Sequence, residues 1–157
     1  MSAFPWTKNY PEGIPEDLGE LEFGNLLELF DKAFNENGHK VAYENMGKQL
    51  TFNDVDRLSR NFAAFIQNHW QLKKGDPIAI QMPNLLQYPI VLIGALRAGL
   101  IVVNTNPLYT PREMKHQYLD AGVKAVVIVA NFASNLEKIR SETGIDKIIV
   151  SDRKSVV

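Results

Sequence analysis

From residue 77 onward the chain alternates short apolar runs with longer amphipathic ones, and this alternation restricts the fold more than any other feature. The apolar runs lie at 77–81, 101–104, 124–129 and 147–151. Each is too short for a buried helix and is rich in Ile and Val, so each reads as a strand. Between them lie helices with clear punctuation. Asn84 is the expected cap of a helix that runs to Ala98, and Gly99 ends it. Thr110-Pro111-Arg112-Glu113 opens the next helix: threonine caps, proline takes the first turn, and glutamate closes a capping box. Gly122 stops that helix, and a last helix over 131–142 is stopped by Gly144. Strands that are apolar throughout are buried on both faces, so the pattern predicts a doubly wound, mainly parallel α/β sheet with helices on both faces and right-handed crossovers.

The first half of the chain is less regular. Residues 1–23 carry Pro5, Trp6, Tyr10, Pro11, Pro15 and Phe23, and read as an extended N-terminal arm. Asn25 caps a short helix over 26–34. Strands at 40–44 and 49–51, joined through Asn45-Met46-Gly47-Lys48, form a small hairpin. Thr51 then caps a long amphipathic helix. Asp54 at its third position suits the exposed amides and the positive end of the helix dipole, and Phe52, Val55, Leu58, Phe62, Phe65, Ile66 and His69 recur along one face. The domain reading is an arm at 1–23 followed by an α/β unit at 24–157. That unit is expected to be incomplete, because Arg153-Lys154-Ser155-Val156-Val157 follows a strand at the edge of a half-wound sheet. Self-association, as a homodimer or larger species, is expected through the open edges or the aromatic arm.

Composition excludes several classes. Seventeen basic and 18 acidic residues give a formal net charge of -1, and no block of like charge stands out, so no nucleic-acid partner is expected. There is no cysteine, which excludes disulfides and thiolate metal sites and fits a reducing compartment. Met1-Ser2-Ala3-Phe4-Pro5-Trp6 is not a signal peptide. The most apolar stretch, 85–103, contains Gln87, Pro89, Gly94, Arg97 and Gly99, so no transmembrane segment is expected. The expected location is the cytoplasm, or peripheral at the inner membrane.

Ligands of doubly wound sheets bind beyond the carboxyl ends of the strands. The turn after the first strand, Gln81-Met82-Pro83-Asn84, has no glycine and hence no backbone cradle for a pyrophosphate. The turn after the second, Thr105-Asn106-Pro107-Leu108-Tyr109-Thr110, is chemically the most varied. It either lines a site, with Asn106, Pro107 and Tyr109 as its substrate-adjacent residues, or is a rigid connection; both readings stay open. Glu113 and His116 form a single E-x-x-H in which the glutamate already has a capping role, so no metal site is expected. Ser59, Ser134 and Ser141 lack the context of a nucleophile, and no carboxylate pair suits acid–base work. The residues alone indicate no catalytic and no cofactor-binding position.

Two segments add a resemblance. Leu50-Thr51-Phe52-Asn53-Asp54-Val55 resembles the first core motif of the adenylate-forming superfamily. Leu96-Arg97-Ala98-Gly99-Leu100-Ile101-Val102-Val103-Asn104-Thr105-Asn106-Pro107 resembles the second. The continuation Leu108-Tyr109-Thr110-Pro111-Arg112-Glu113 and the arm from Trp6 to Pro15 resemble the long-chain fatty acid–CoA ligases. The resemblance covers essentially the whole chain. It implies a part of the N-terminal AMP-binding domain of an enzyme that joins fatty acid and ATP, with Mg2+, into an acyl-adenylate and passes the acyl group to CoA. It also implies that this span is non-catalytic, since the family's Ser/Thr/Gly-rich phosphate loop, aromatic-Thr-Glu segment, ribose-binding Asp and C-terminal Lys have no counterpart here. The alternative is a non-catalytic α/β interaction module that reuses the fold.

Overall fold

A computed structural model describes residues 4–17 and 19–153. What the sequence suggested for Met1, Ser2, Ala3, Leu18 and 154–157 lies outside these residues. The arm is not extended throughout: Pro5–Asn9 form a turn of 3-10 helix. Proline starts it where no N–H is needed, and the buried Thr7 donates its hydroxyl to the Phe4 carbonyl at 2.9 Å.

Helix α1, Leu26–Asn37, begins at Asn25, whose side chain accepts from the Leu27 and Glu28 amides. It runs one turn past the expected end at Phe34. Strands β1, Val41–Asn45, and β2, Lys48–Thr51, form the expected antiparallel hairpin. Helix α2, Phe52–Phe65, has the full capping box of Thr51 and Asp54, and a single π-helical turn, Ile66–Trp70, extends it. Strand β3 is Pro77–Gln81.

Helix α3, Gln87–Arg97, departs from expectation: it starts two residues late, after Leu86, with no side-chain cap. Pro89 is the reason. A helix capped at Asn84 would place Pro89 beyond the first turn, where its missing N–H and its ring break the ladder. Asn84 instead accepts a hydrogen bond at its carbonyl from Asn45 Nδ2, at 3.1 Å. Strand β4 is Ile101–Asn104, helix α4 Pro111–Asp120 with the Thr110 and Glu113 capping box, and strand β5 Ala125–Val129.

The last helix is broken rather than continuous. A 3-10 turn at Ala130–Phe132 leads into α5, Ala133–Glu137, and then α6, Arg140–Thr143. The Ile139 amide donates to the Leu136 carbonyl at 3.0 Å. Three-residue spacing there sets Leu136 and Ile139, both buried, into one core. Strand β6, Lys147–Ser151, follows.

The main sheet has the order β4-β3-β5-β6 and is parallel throughout. Period-two alternation splits its side chains between two cores. On one face Ile78, Ile80, Val127 and Val129 meet Ala63, Ile66, Val91 and Ala95 from α2 and α3. On the other, Ala79, Val126 and Ile128 meet Met114, Tyr118, Leu136 and Ile139. Helices α2 and α3 approach closely at Gly94, where a Cβ would lie 2.7 Å from the Ser59 carbonyl oxygen. A third core, built on Phe34, Leu50, Val55 and Ile93, ties α1 and the hairpin to this pair. Only β3 and β5 are buried on both faces. The strand order leaves β4 and β6 with one neighbour each among the described residues, and Ile101 and Val150 stand open to solvent. No helix among the described residues is long and apolar enough to cross a membrane.

Candidate functional site

Strand β3 leaves its carboxyl end toward α3 on one face, whereas its neighbours β4 and β5 leave toward helices on the other. The chain therefore parts at the end of β3, which is where doubly wound sheets take ligands. The loop 105–110 crosses this point, so Asn106, Pro107 and Tyr109 are brought to the expected end of the sheet.

The loop is rigid for local reasons. Asn106 forms an Asx turn, its Oδ1 accepting from the Leu108 amide at 2.9 Å. The Asn106 carbonyl accepts from the Tyr109 amide at 3.1 Å. The Thr105 amide donates to the Ile80 carbonyl at 3.0 Å, which fastens the loop to the end of β3. At the far side the Thr110 amide donates to Glu113 Oε2 at 2.8 Å. Asn106 is exposed, Pro107 and Tyr109 are half-buried, and Leu108 is 77% exposed.

Beneath the loop lies a buried polar pair that sequence reasoning did not single out. Gln81, the last residue of β3, and Tyr118 of α4 are both fully enclosed. The Tyr118 hydroxyl donates to Gln81 Oε1 at 2.8 Å, and Gln81 Nε2 donates to the Asn106 carbonyl at 3.2 Å. Burial pushes the Tyr118 phenol up to about 12, with the Thr105 hydroxyl opposing weakly, so it stays a neutral donor. The available signal was a lone amide closing an otherwise apolar strand. Nearby, Asn104 is held from both faces: the Tyr88 hydroxyl donates to its Oδ1 at 3.0 Å, and Gln117 Nε2 donates to its carbonyl at 3.2 Å. Gln117 Oε1 is buried with no partner among the described residues.

The loop 105–110 holds no run of free amides that could cradle the phosphates of ATP. The amides of Thr105, Leu108, Tyr109 and Thr110 are engaged within the chain, and Pro107 has none. At the start of α4, where a helix would favour an anion, the Glu113 carboxylate already sits, held below the usual carboxylate range by the Thr110 hydroxyl and amide. Arg112 and His116 border an open groove there with Thr110 and Glu113. Among the described residues no three His, Asp or Glu side chains gather as a metal would require.

The family model for AMP-binding enzymes matches residues 30–157. The chain belongs to this family. Among AMP-binding enzymes, it is 50% identical over 146 residues to a long-chain-fatty-acid–CoA ligase of Haemophilus influenzae, covering 93% of this chain and 26% of that protein. A long-chain-fatty-acid–CoA ligase of Bacillus subtilis is 35% identical over 154 residues, covering 98% of this chain and 27% of its own length. The chain thus spans about a quarter of the length of the curated relatives it matches. The fold is shared with a benzoate CoA ligase from Burkholderia xenovorans, at a TM-score of 0.76 and 22% identity over 82% of this chain and 26% of that one. The N-terminal domain of a Mycobacterium tuberculosis protein, FACL13, matches at a TM-score of 0.75 and 22% identity, over 82% of this chain and 34% of that one.

Proposed function

We propose that this chain is the N-terminal quarter of an ATP-dependent long-chain fatty acid–CoA ligase, and that it builds the sheet against which the rest of that enzyme assembles. The observation that carries the reading is sequence identity of 45–50% with bacterial long-chain-fatty-acid–CoA ligases along 93% of the chain. A likeness of that extent to proteins sharing one activity supports that activity for the whole enzyme. The substrates are then a fatty acid, ATP and CoA, with Mg2+ on the nucleotide, and the acyl-adenylate is the intermediate. The nucleotide is held by parts of the enzyme that this chain does not span, in keeping with the engaged amides of the loop 105–110. Within the present chain Asn106, Pro107 and Tyr109 are the substrate-adjacent residues, and residues 24–157 form one α/β unit behind the arm. The enzyme works in the cytoplasm or peripherally at the inner membrane, and this part of it associates with copies of itself.

The test is palmitate-dependent exchange of pyrophosphate into ATP. The full-length protein that carries this chain should catalyse it, and the 157-residue chain alone should match the blank. A full-length protein that activates no fatty acid of any length would sink the reading.

A further inference from the structure

Helix α1 lies outside the layer that packs on the sheet. Helices α2 and α3 turn Ala63, Ile66, Val91 and Ala95 toward the sheet, and Val55 and Ile93 toward α1. The core beneath α1 contains no residue of β3, β4, β5 or β6. The helix is thinly held there. Phe34 is its one buried side chain, whereas Leu26 and Leu29 in its first turns are exposed. Its far end is fastened: the Gly38 carbonyl accepts from the Asn53 amide at 2.9 Å, and the Lys40 carbonyl from the Phe52 amide at 3.1 Å.

Asp31 is the one described side chain of α1 that hydrogen-bonds or ion-pairs with α2 or α3. Its Oδ1 accepts from Arg97 Nη2 at 2.8 Å, and Arg60 Nη2 stands 3.6 Å away. The Arg97 guanidinium also lies over the Phe34 ring, 5.7 Å from its centre. Arg97 is only 10% exposed, yet the departure of α1 would not strand it, because Asp56 Oδ1 at 2.7 Å and Ser59 Oγ at 3.2 Å remain. An opening that leaves no unpaired buried charge avoids the largest penalty of breaking a buried ion pair. Once detached, a 12-residue helix is marginal in water, so its amides exchange. We infer that α1 is a strap: it opens from α2 and α3 as a unit, hinged at 38–40, while the sheet stays folded, and the Asp31–Arg97 bond is its latch. The free energy of such a partial opening is set by the contacts it breaks and not by global stability.

The test is hydrogen exchange by mass spectrometry on the full-length protein that carries this chain, over a series of low urea concentrations. It needs no substrate, so its outcome is independent of the activity proposed above. Amides of α1 should exchange faster than those of β3 and β5, and with a shallower dependence on urea, because less surface is exposed when they open. Equal protection and equal slope in α1 and the sheet would overturn the strap. Two variants then separate latch from sheet. Asp31→Asn keeps the shape and helix propensity of the side chain and removes its charge. It should quicken exchange in α1 by about tenfold, the size of a lost charge-assisted hydrogen bond, and an unchanged rate would overturn the latch. Ile128→Val trims a fully enclosed side chain on the sheet face away from α2 and α3. It should quicken exchange in β3 and β5 by about fivefold and leave α1 unchanged, because the sheet is equally folded whether the strap is closed or open. A matching rise in α1 would mean that α1 and the sheet open together, which the inference excludes.

Discussion

Gly99 joins α3 to β4 with φ at +75°, and its carbonyl accepts from the Gly75 amide at 2.9 Å. A Cβ here would lie 3.0 Å from Lys74 Cγ, the stem of a flexible side chain that can move. The difficulty is therefore the backbone and not the space. A β-branched residue held at positive φ costs about 1–3 kcal/mol. Gly99→Val should lower the unfolding free energy by that amount, read as a lower urea midpoint at unchanged slope, and an equal midpoint would contradict the strain argument. Arg97, two residues earlier, has a role that sequence reasoning did not reach. Its guanidinium bonds Asp31 Oδ1 at 2.8 Å, Asp56 Oδ1 at 2.7 Å and Ser59 Oγ at 3.2 Å, and lies over the Phe34 ring. It thereby pins α1 and α2 to α3. In the sequence it was legible only as a charge that no membrane span would tolerate and as the basic residue of a motif. Helical periodicity says which face of a helix is apolar, but not which distant carboxylates a buried cation will meet.

Elements were most legible where local chemistry decides them. The capping boxes of α2 and α4 and the strands at 77–81, 101–104 and 147–151 follow from residues within a few positions of each other. Elements shifted where two local rules conflict, as with Asn84 against Pro89, or where tertiary packing set the spacing, as between Leu136 and Ile139. The loop of the candidate site was found, but its anchor was not, because an isolated Gln81 and Tyr118 carry no spacing signal across 37 positions. The two capping boxes also set a pH dependence. Thr51, through its hydroxyl and then its amide, holds the Asp54 carboxyl below its ordinary value, and Thr110 does the same for Glu113. Both folded pKa values lie below those of the unfolded chain, about 3.9 for Asp and 4.3 for Glu. The stabilisation is therefore full above those values and is lost as pH falls through the folded ones. Acid unfolding followed by circular dichroism should be shallower in the Asp54→Asn, Glu113→Gln double variant than in the wild type. Equal steepness would mean that the caps carry no linked protons.

At the scale of the molecule, the sheet ends in two open edges. Strand β4 pairs only with β3, and β6 only with β5, among the described residues. Ile101 at one edge is 55% exposed and Val150 at the other is 54% exposed. Beside β6 a groove runs along α5 and α6, with Ala133, Leu136, Ile148 and Val150 on its walls and charged residues at its rim. A parallel sheet is normally covered on its faces and blunted at its edges. In relatives about four times as long, the remaining chain can cover such surfaces; the 157-residue chain alone must leave them in water or bury them against another copy. Exposed edges with apolar side chains recruit other edges. The isolated chain should therefore sediment as a dimer or larger species at micromolar concentration and dissociate on dilution. Val150→Lys should shift the distribution toward monomer, because a lysine on an edge strand resists a partner while leaving its own pairing with β5 intact. If the wild-type chain is monomeric across the dilution series, the edges are not adhesive. If Val150→Lys associates as strongly as wild type, the contact lies elsewhere, and the β4 edge at Ile101 becomes the place to substitute next.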